Sequence, residues 1–388
     1  MPDTRQLSFP GGLAYTSGNA YAYAYSGGNA YAYSAPADGR GITGFAADPM
    51  LSAAVIATRD ALLSQVDLPT LGGAGDRRDG TPFDGAVQDG LPSRACPQDI
   101  ARYGAQVRAS LALFDLSSSV AFLLDGDTAT LQGTSRGGRV PLVTMKRPNR
   151  PYFEGQLVQV DGWSSRRDVR AAEILTQVTP PLGFFASLLN LQEGRHRRTL
   201  ELVNAALQFT YAVCMQFKHA LACPRPGEYS VGVQAMIEVP MHPSLPAGHA
   251  AEGHVTAAVL GALAGAEPGS KTDAMLRQLA HRIAENRVVA GLHFPVDLVA
   301  GRLLGDALAS YFLARCGFAP RWTGGRFEVQ SPTADNGKSD EFADDSASVT
   351  ARFFEGPRSC CSALDPVDAD PLPLLSEMRT EAAAEWTR

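Results

Sequence analysis

The stretch TLELVNAALQFTYAVCMQFKHALACPRP, Thr199–Pro226, decides the fold. Leu200, Val203, Leu207, Tyr211, Cys214 and Leu221 recur at three- and four-residue spacing, which is one face of a helix. Lys218 falls on that same face, four residues after Cys214, so its ammonium points inward; that is costly unless an anion or carboxylate waits there. Pro224 stops the helix and delivers Arg225 just beyond its end.

Downstream, MHPSLPAGHAAEGHV, Met241–Val255, opens a second helix. Pro243 and Pro246 hold the approach extended, Gly248 lets backbone come close to a ligand, and an alanine-rich run continues to Pro268. Free N–H groups and the positive end of the macrodipole make such a helix start a site for oxyanions, and His249 there can give or take a proton. A third helix, Thr272 to about Val289, returns over a similar length, about 27 Å, and brings Arg287 to the end where His249 began. After the Ala290-Gly291 break, Pro295 suits the first turn of a fourth helix, with His293 at its mouth. Asp297, one turn on, is placed to orient the His293 ring. Lys218, Arg225, Gly248, His249, Arg287, His293 and Asp297 together describe a pocket for a tetrahedral, multiply charged oxyanion. The expected fold is all-α, built of helical bundles with the oxyanion pocket at one end of the core bundle.

The rest of the 388-residue chain constrains function less. A 45% hydrophobic composition supports one large core or two ordinary ones. The net charge of -6 gives no overall attraction for nucleic acid or anionic lipid, so neither partner is expected. No apolar run reaches the roughly 20 residues that span a bilayer, and the N-terminus lacks a secretory pattern, so no membrane association and a cytoplasmic location are expected. Six cysteines without a CxxC pair read as reduced thiols. Residues 1–45 repeat Gly-Asn-Ala-Tyr ten residues apart, a low-complexity arm. A first helix is expected near Pro49–Val66, and a Gly, Asp and Arg-rich loop over Gly72–Pro97.

KHALACPRP fits Kx6RP, PSLPAGH resembles the longer PSxPSGH signature, and NRVVAGLHFPVD fits (S)Rx5Hx3D. In these three motifs the segment from roughly Glu201 to Cys316 resembles the type 2 phosphatidic acid phosphatase superfamily, which includes bacterial acid phosphatases, lipid phosphatases and vanadium-dependent haloperoxidases. It is most similar to the bacterial haloperoxidases; His242 matches a second histidine of the bromoperoxidases in that group. The resemblance implies a vanadate cofactor with His293 as the ligand to vanadium. It further implies that Lys218, Arg225 and Arg287 neutralise the vanadate oxygens, that Gly248 donates a backbone N–H and that His249 handles protons. The implied reaction is oxidation of bromide or iodide by hydrogen peroxide to hypohalous acid, which halogenates an organic acceptor. In the phosphatase alternative His293 attacks phosphorus and His249 protonates the leaving group; a non-catalytic oxyanion-binding relic is a further alternative, and homo-oligomerisation stays open.

Two positions depart from the signatures: Ala247 stands where a serine is usual, removing one hydroxyl donor to the oxyanion, and Asn286 replaces a serine before Arg287. The expected organisation is the arm over 1–45, a helical and loop region over 46–195 packing on the core, the haloperoxidase-like core over 196–318, and an acidic linker and tail over 319–388. Remaining histidines have plainer readings. His219 lies about 100° round its helix from Lys218 and reads as surface, while His196 and His281 read as helix exteriors. Without HExxH, His254 and Glu252 do not make a zinc site, although Glu252 could face the pocket. KRPNRP, Lys146–Pro151, imitates the first motif but reads as a loop.

Overall fold

In the computed structural model, residues 103–178, 181–329 and 360–387 are described; the arm, the helix near Pro49, the Gly72–Pro97 loop and the acidic stretch from Ser331 lie outside them. The helices are α1 (Ala105–Ser118), α2 (Arg150–Trp163), α3 (Arg167–Thr176), α4 (Leu182–Leu189), α5 (Arg197–Leu221), α6 (Pro226–Tyr229), α7 (Gly248–Leu263), α8 (Lys271–Val289), α9 (Pro295–Arg315) and α10 (Pro373–Ala384). The molecule is mostly helical, as expected, and α5, α7, α8 and α9 form its core bundle.

Helix α7 lies at the centre of that bundle, against α5, α8 and α9. All but two of its 16 residues are buried, which suits its alanine and glycine content: small side chains let three helices approach one. The approach is closest where a Cβ built on Gly301 of α9 would stand 2.4 Å from the Ala247 carbonyl oxygen, and one on Gly305 2.6 Å from that of Ala251. Between α8 and α9 the chain turns at Gly291, whose φ of 76° is the left-handed region that favours glycine.

A sheet completes the described fold and was not foreseen. Strands β1 (Val120–Asp125), β2 (Thr128–Ser135) and β3 (Gly138–Lys146) form an antiparallel meander. Strand β3 then pairs in parallel with β5 (Gly325–Phe327), which pairs antiparallel with β6 (Cys361–Ala363). A second, two-stranded sheet joins β4 (Arg321–Trp322) to β7 (Val367–Asp368). The meander does carry a sequence signal: β2 alternates buried and half-buried residues, and Gly126 and Gly138 supply positive φ at the two turns.

Two further expectations need correction. Residues beyond 319 are not simply a tail, because β4 to β7 are paired and α10 lies along α5, with Leu375, Met378 and Ala382 buried. His196 is buried rather than exterior: the C-terminal segment returns over it and places Trp386 5.2 Å from its ring. The buried Arg108–Glu201 ion pair ties α1 to α5, with Arg198 2.8 Å from the same carboxylate.

Candidate oxyanion site

Every residue of the expected constellation lies at one end of the bundle: in the last turn of α5 and just beyond it, at the start of α7, at the end of α8 and around the start of α9. Lys218, Arg225, His249, Arg287, His293 and Asp297 are all buried, and His242 half-buried.

The best-defined part is the cluster around His293. Its Nδ1 is 3.1 Å from Asp297 Oδ2 and 3.1 Å from Ser244 Oγ, while the Ser244 hydroxyl donates to the same Asp297 oxygen at 2.5 Å. Both neighbours of Nδ1 are therefore acceptors, so Nδ1 carries the hydrogen and Nε2 keeps a lone pair. Asp297 Oδ2 also accepts from the Phe294 N–H at 2.9 Å, so one carboxylate caps α9 and orients the ring. Burial raises the Asp297 carboxyl to about 6, opposed by the Ser244 and Phe294 hydrogen bonds and by Lys218 and Arg225. His293 is drawn well below its ordinary value by burial, then by the charges of Arg225 and Lys218. Ser244 sits inside the PSLPAGH motif, yet was not singled out, because nothing in the spacing shows that its hydroxyl turns toward a residue 53 positions on.

The cations arrive with oxygen partners. Arg225 Nη1 is 3.5 Å from His293 Nε2 and donates to the Leu292 carbonyl at 2.9 Å; its Nε donates to the His242 carbonyl at 3.0 Å, and its Nη2 lies 3.2 Å from His242 Nδ1. Lys218 Nζ donates to the carbonyls of Pro243 and Ser244 at 2.9 and 2.7 Å, so backbone oxygens meet the ammonium where an anion or carboxylate was expected. Burial lowers it to about 8. Arg287 donates to the Gln177 carbonyl at 3.2 Å and the Ile174 carbonyl at 3.3 Å, and His249 Nε2 lies 2.8 Å from that same Gln177 oxygen. A carbonyl only accepts, so His249 holds its hydrogen on Nε2. Burial, then Arg287, brings His249 down to about 3; burial, then Lys218, brings His242 to about 4. Gln177 could not have been found by motif, since it precedes Arg287 by 110 positions in an unremarkable helix end.

Gly248 begins α7, where first-turn N–H groups lack acceptors within the helix. Ala247 is the N-cap, with no side-chain cap and with its own N–H donated to the Asp297 carbonyl at 2.9 Å. Glu252 is buried and acts electrostatically on Tyr211, Cys214 and Lys218, so its carboxylate faces α5. His254 lies 3.4 Å from Asp306 on the α9 side, away from the site, and His219 is exposed. The KRPNRP segment, expected as a loop, runs from the last residue of β3 through a short connection, Arg147–Asn149, into the first turn of α2; Arg147, Asn149 and Arg150 line a cavity of about 450 Å³ beside Pro224 and Tyr229.

Lys218 allows a direct test. Removing its charge relieves about 3 kcal/mol of burial cost, while abandoning two carbonyls costs about 1–2 kcal/mol each. Lys218→Met is therefore expected to melt within a few degrees of the unaltered protein, yet bind orthovanadate or phosphate at least about tenfold more weakly. Melting curves and calorimetric titrations check both; a large loss of stability with unchanged affinity would make Lys218 a structural tie only.

Residues 200–319 match the family model of the PAP2 superfamily. No curated protein matches the chain. Among solved structures it is similar to one described as the first bacterial vanadium-dependent iodoperoxidase, with a TM-score of 0.30 and 14% identity. That match covers 57% of this chain and 50% of the other, so the chain spans half the length of the relative. No helix among the described residues is long and apolar enough to cross a membrane.

Proposed function

We propose that the chain is an oxyanion-centred enzyme whose reaction is the vanadate-dependent oxidation of bromide or iodide by hydrogen peroxide, with halogenation of an organic acceptor. The observation that carries this reading is the His293 ring. Asp297 and Ser244 fix its Nδ1–H, leaving the Nε2 lone pair 3.5 Å from Arg225 in the field of Lys218. A neutral nitrogen ligand facing fixed cations fits an anion such as vanadate. Bound vanadate supplies a Lewis acid that stays at V(V) and activates peroxide towards halide.

In this reading His293 Nε2 ligates the anion, and Lys218, Arg225 and Arg287 offset its charge. Gly248 offers a backbone N–H at the positive end of α7. His249, in the imidazolium form that an anion beside Arg287 favours, would supply a proton from Nε2, and His242, beside Arg225, is a second base at the rim. The same lone pair supports a second reading, phosphoryl transfer. His293 Nε2 would attack phosphorus, the ester bond would break as His249 protonates the leaving oxygen, and water would release phosphate from His293. Dialysis against orthovanadate, followed by vanadium analysis and assays of bromide and iodide oxidation, tests the first reading. Retained vanadium with halide oxidation is expected. Hydrolysis of an aryl phosphate without halide oxidation would replace it by the second, and neither activity would leave a binding relic.

Ala247→Ser adds a hydroxyl at the cap of α7. We expect vanadate to bind about 1–2 kcal/mol more tightly, with an equal or higher melting temperature, because serine also caps helices. A lower melting temperature with no shift in the titration would mean that the hydroxyl is buried without a partner.

A further inference from the structure

Asn286, immediately before Arg287, is fully buried near the end of α8, and its amide is committed to α3 and the turn that ends it. Oδ1 accepts from Arg170 Nη1 at 3.0 Å; Nδ2 donates to Glu173 Oε2 at 3.0 Å and to Gln177 Oε1 at 2.8 Å. Arg282 holds the same Glu173 carboxylate at 2.8 and 2.5 Å. These bonds clamp the last turn of α3 against α8.

What that turn presents to the site is a set of main-chain oxygens. The last carbonyls of a helix lack helical donors and carry its partial negative charge. Here Ile174 O and Gln177 O meet Arg287, and Gln177 O also meets His249 Nε2. Arg287 Nη2 is 3.4 Å from Gln177 Oε1 as well. Oxygen acceptors in negative potential, shared by an arginine and a histidine, are what a bound oxyanion would offer the same two side chains.

We propose that Asn286 sets the affinity of the site for its oxyanion. It latches the end of α3 across Arg287 and His249, so that the Gln177 carbonyl is an internal competitor that an incoming tetrahedral oxyanion displaces. The inference rests on the oxyanion reading of the site. Without an anion the latch keeps Arg287 supplied with acceptors and keeps the His249 proton on Nε2. With an anion, the hydrogen bonds given up to the turn are subtracted from those gained.

Asn286→Ser and Asn286→Ala loosen the latch without touching Arg287. Calorimetric titration with orthovanadate and with inorganic phosphate is expected to show binding tightened by roughly tenfold or more, a direction that mere structural damage would not give. In the unaltered protein, saturating either anion is expected to speed hydrogen exchange in the Ile174–Gln177 turn. Anion binding that is unchanged or weaker in folded variants overturns the latch while leaving the oxyanion reading in place. Should the variants not fold, exchange in the turn of the unaltered protein decides, and equal or slower exchange on anion binding overturns the proposal. If neither the unaltered protein nor a folded variant binds either anion, both readings fall; binding by the variants alone would support the latch.

Discussion

His293→Ala is expected to abolish retention of vanadate and to lower turnover by at least about a thousandfold, the scale on which loss of an engaged reacting side chain acts. The fold should survive. Asp297 keeps its bonds from Ser244 and the Phe294 N–H, so the cap of α9 stays intact when the ring is removed. Vanadium content after dialysis, turnover and circular dichroism separate the possibilities. Full vanadium retention in a folded variant would show that another group holds the anion, whereas loss of helical signal would make His293 a structural residue.

Taking the anion-free protein from pH 6 to pH 4 is expected to cost about 3 kcal/mol of stability. His249 and His293 have folded values depressed by burial, so below the ordinary histidine value of 6.5 the unfolded chain binds two protons that the folded chain refuses. Stability contributed above that value is lost as the pH falls. Asp297, raised to about 6 by burial, works oppositely: the folded chain takes up a proton that the unfolded one does not, which favours folding as the pH falls between those limits. Two protons against one leave a net slope of about 1.4 kcal/mol per pH unit. His242, lowered to about 4, and His254 add to the loss, and Glu201, raised to about 8 by burial, opposes it. Saturating phosphate should flatten the slope, because an anion beside the rings raises their folded values. Urea denaturation at pH 6, 5 and 4, with and without phosphate, measures both effects; stability that is level or rises on acidification would contradict the assignment of these histidines as buried and neutral.

The core bundle was readable because its signals are local. The stripe of α5, the Ala290-Gly291 break and Pro295 each fix a helix or its end within a few residues, and two helices of similar length must return Arg287 to His249. The oxygen shell around the cations was not readable. Gln177, Ile174, Pro243 and Ser244 act through main-chain carbonyls or a single hydroxyl, and a carbonyl belongs to every residue type, so no pattern of side chains announces it. The sheet escaped for another reason: β3 has the parallel partner β5, about 180 positions later, and its four consecutive buried residues from Leu142 to Met145 show no alternation. His196 was misplaced because its cover, Trp386, comes from the far end of the chain.

The close approach of α9 to α7 also limits how this protein can diverge. A methyl group at Gly301 would press on the Ala247 carbonyl, one residue before Gly248, and one at Gly305 on the backbone of Ala251. Enlarging the interior of the bundle therefore shifts the helix start that carries the site, and drift there is penalised twice, in packing and in chemistry. The segment from Ser230 to Met241 and the KRPNRP loop lie outside this helix pair. New substrate preferences in descendants of this chain should accumulate in those outer segments, while the alanine and glycine lattice beneath them stays unchanged.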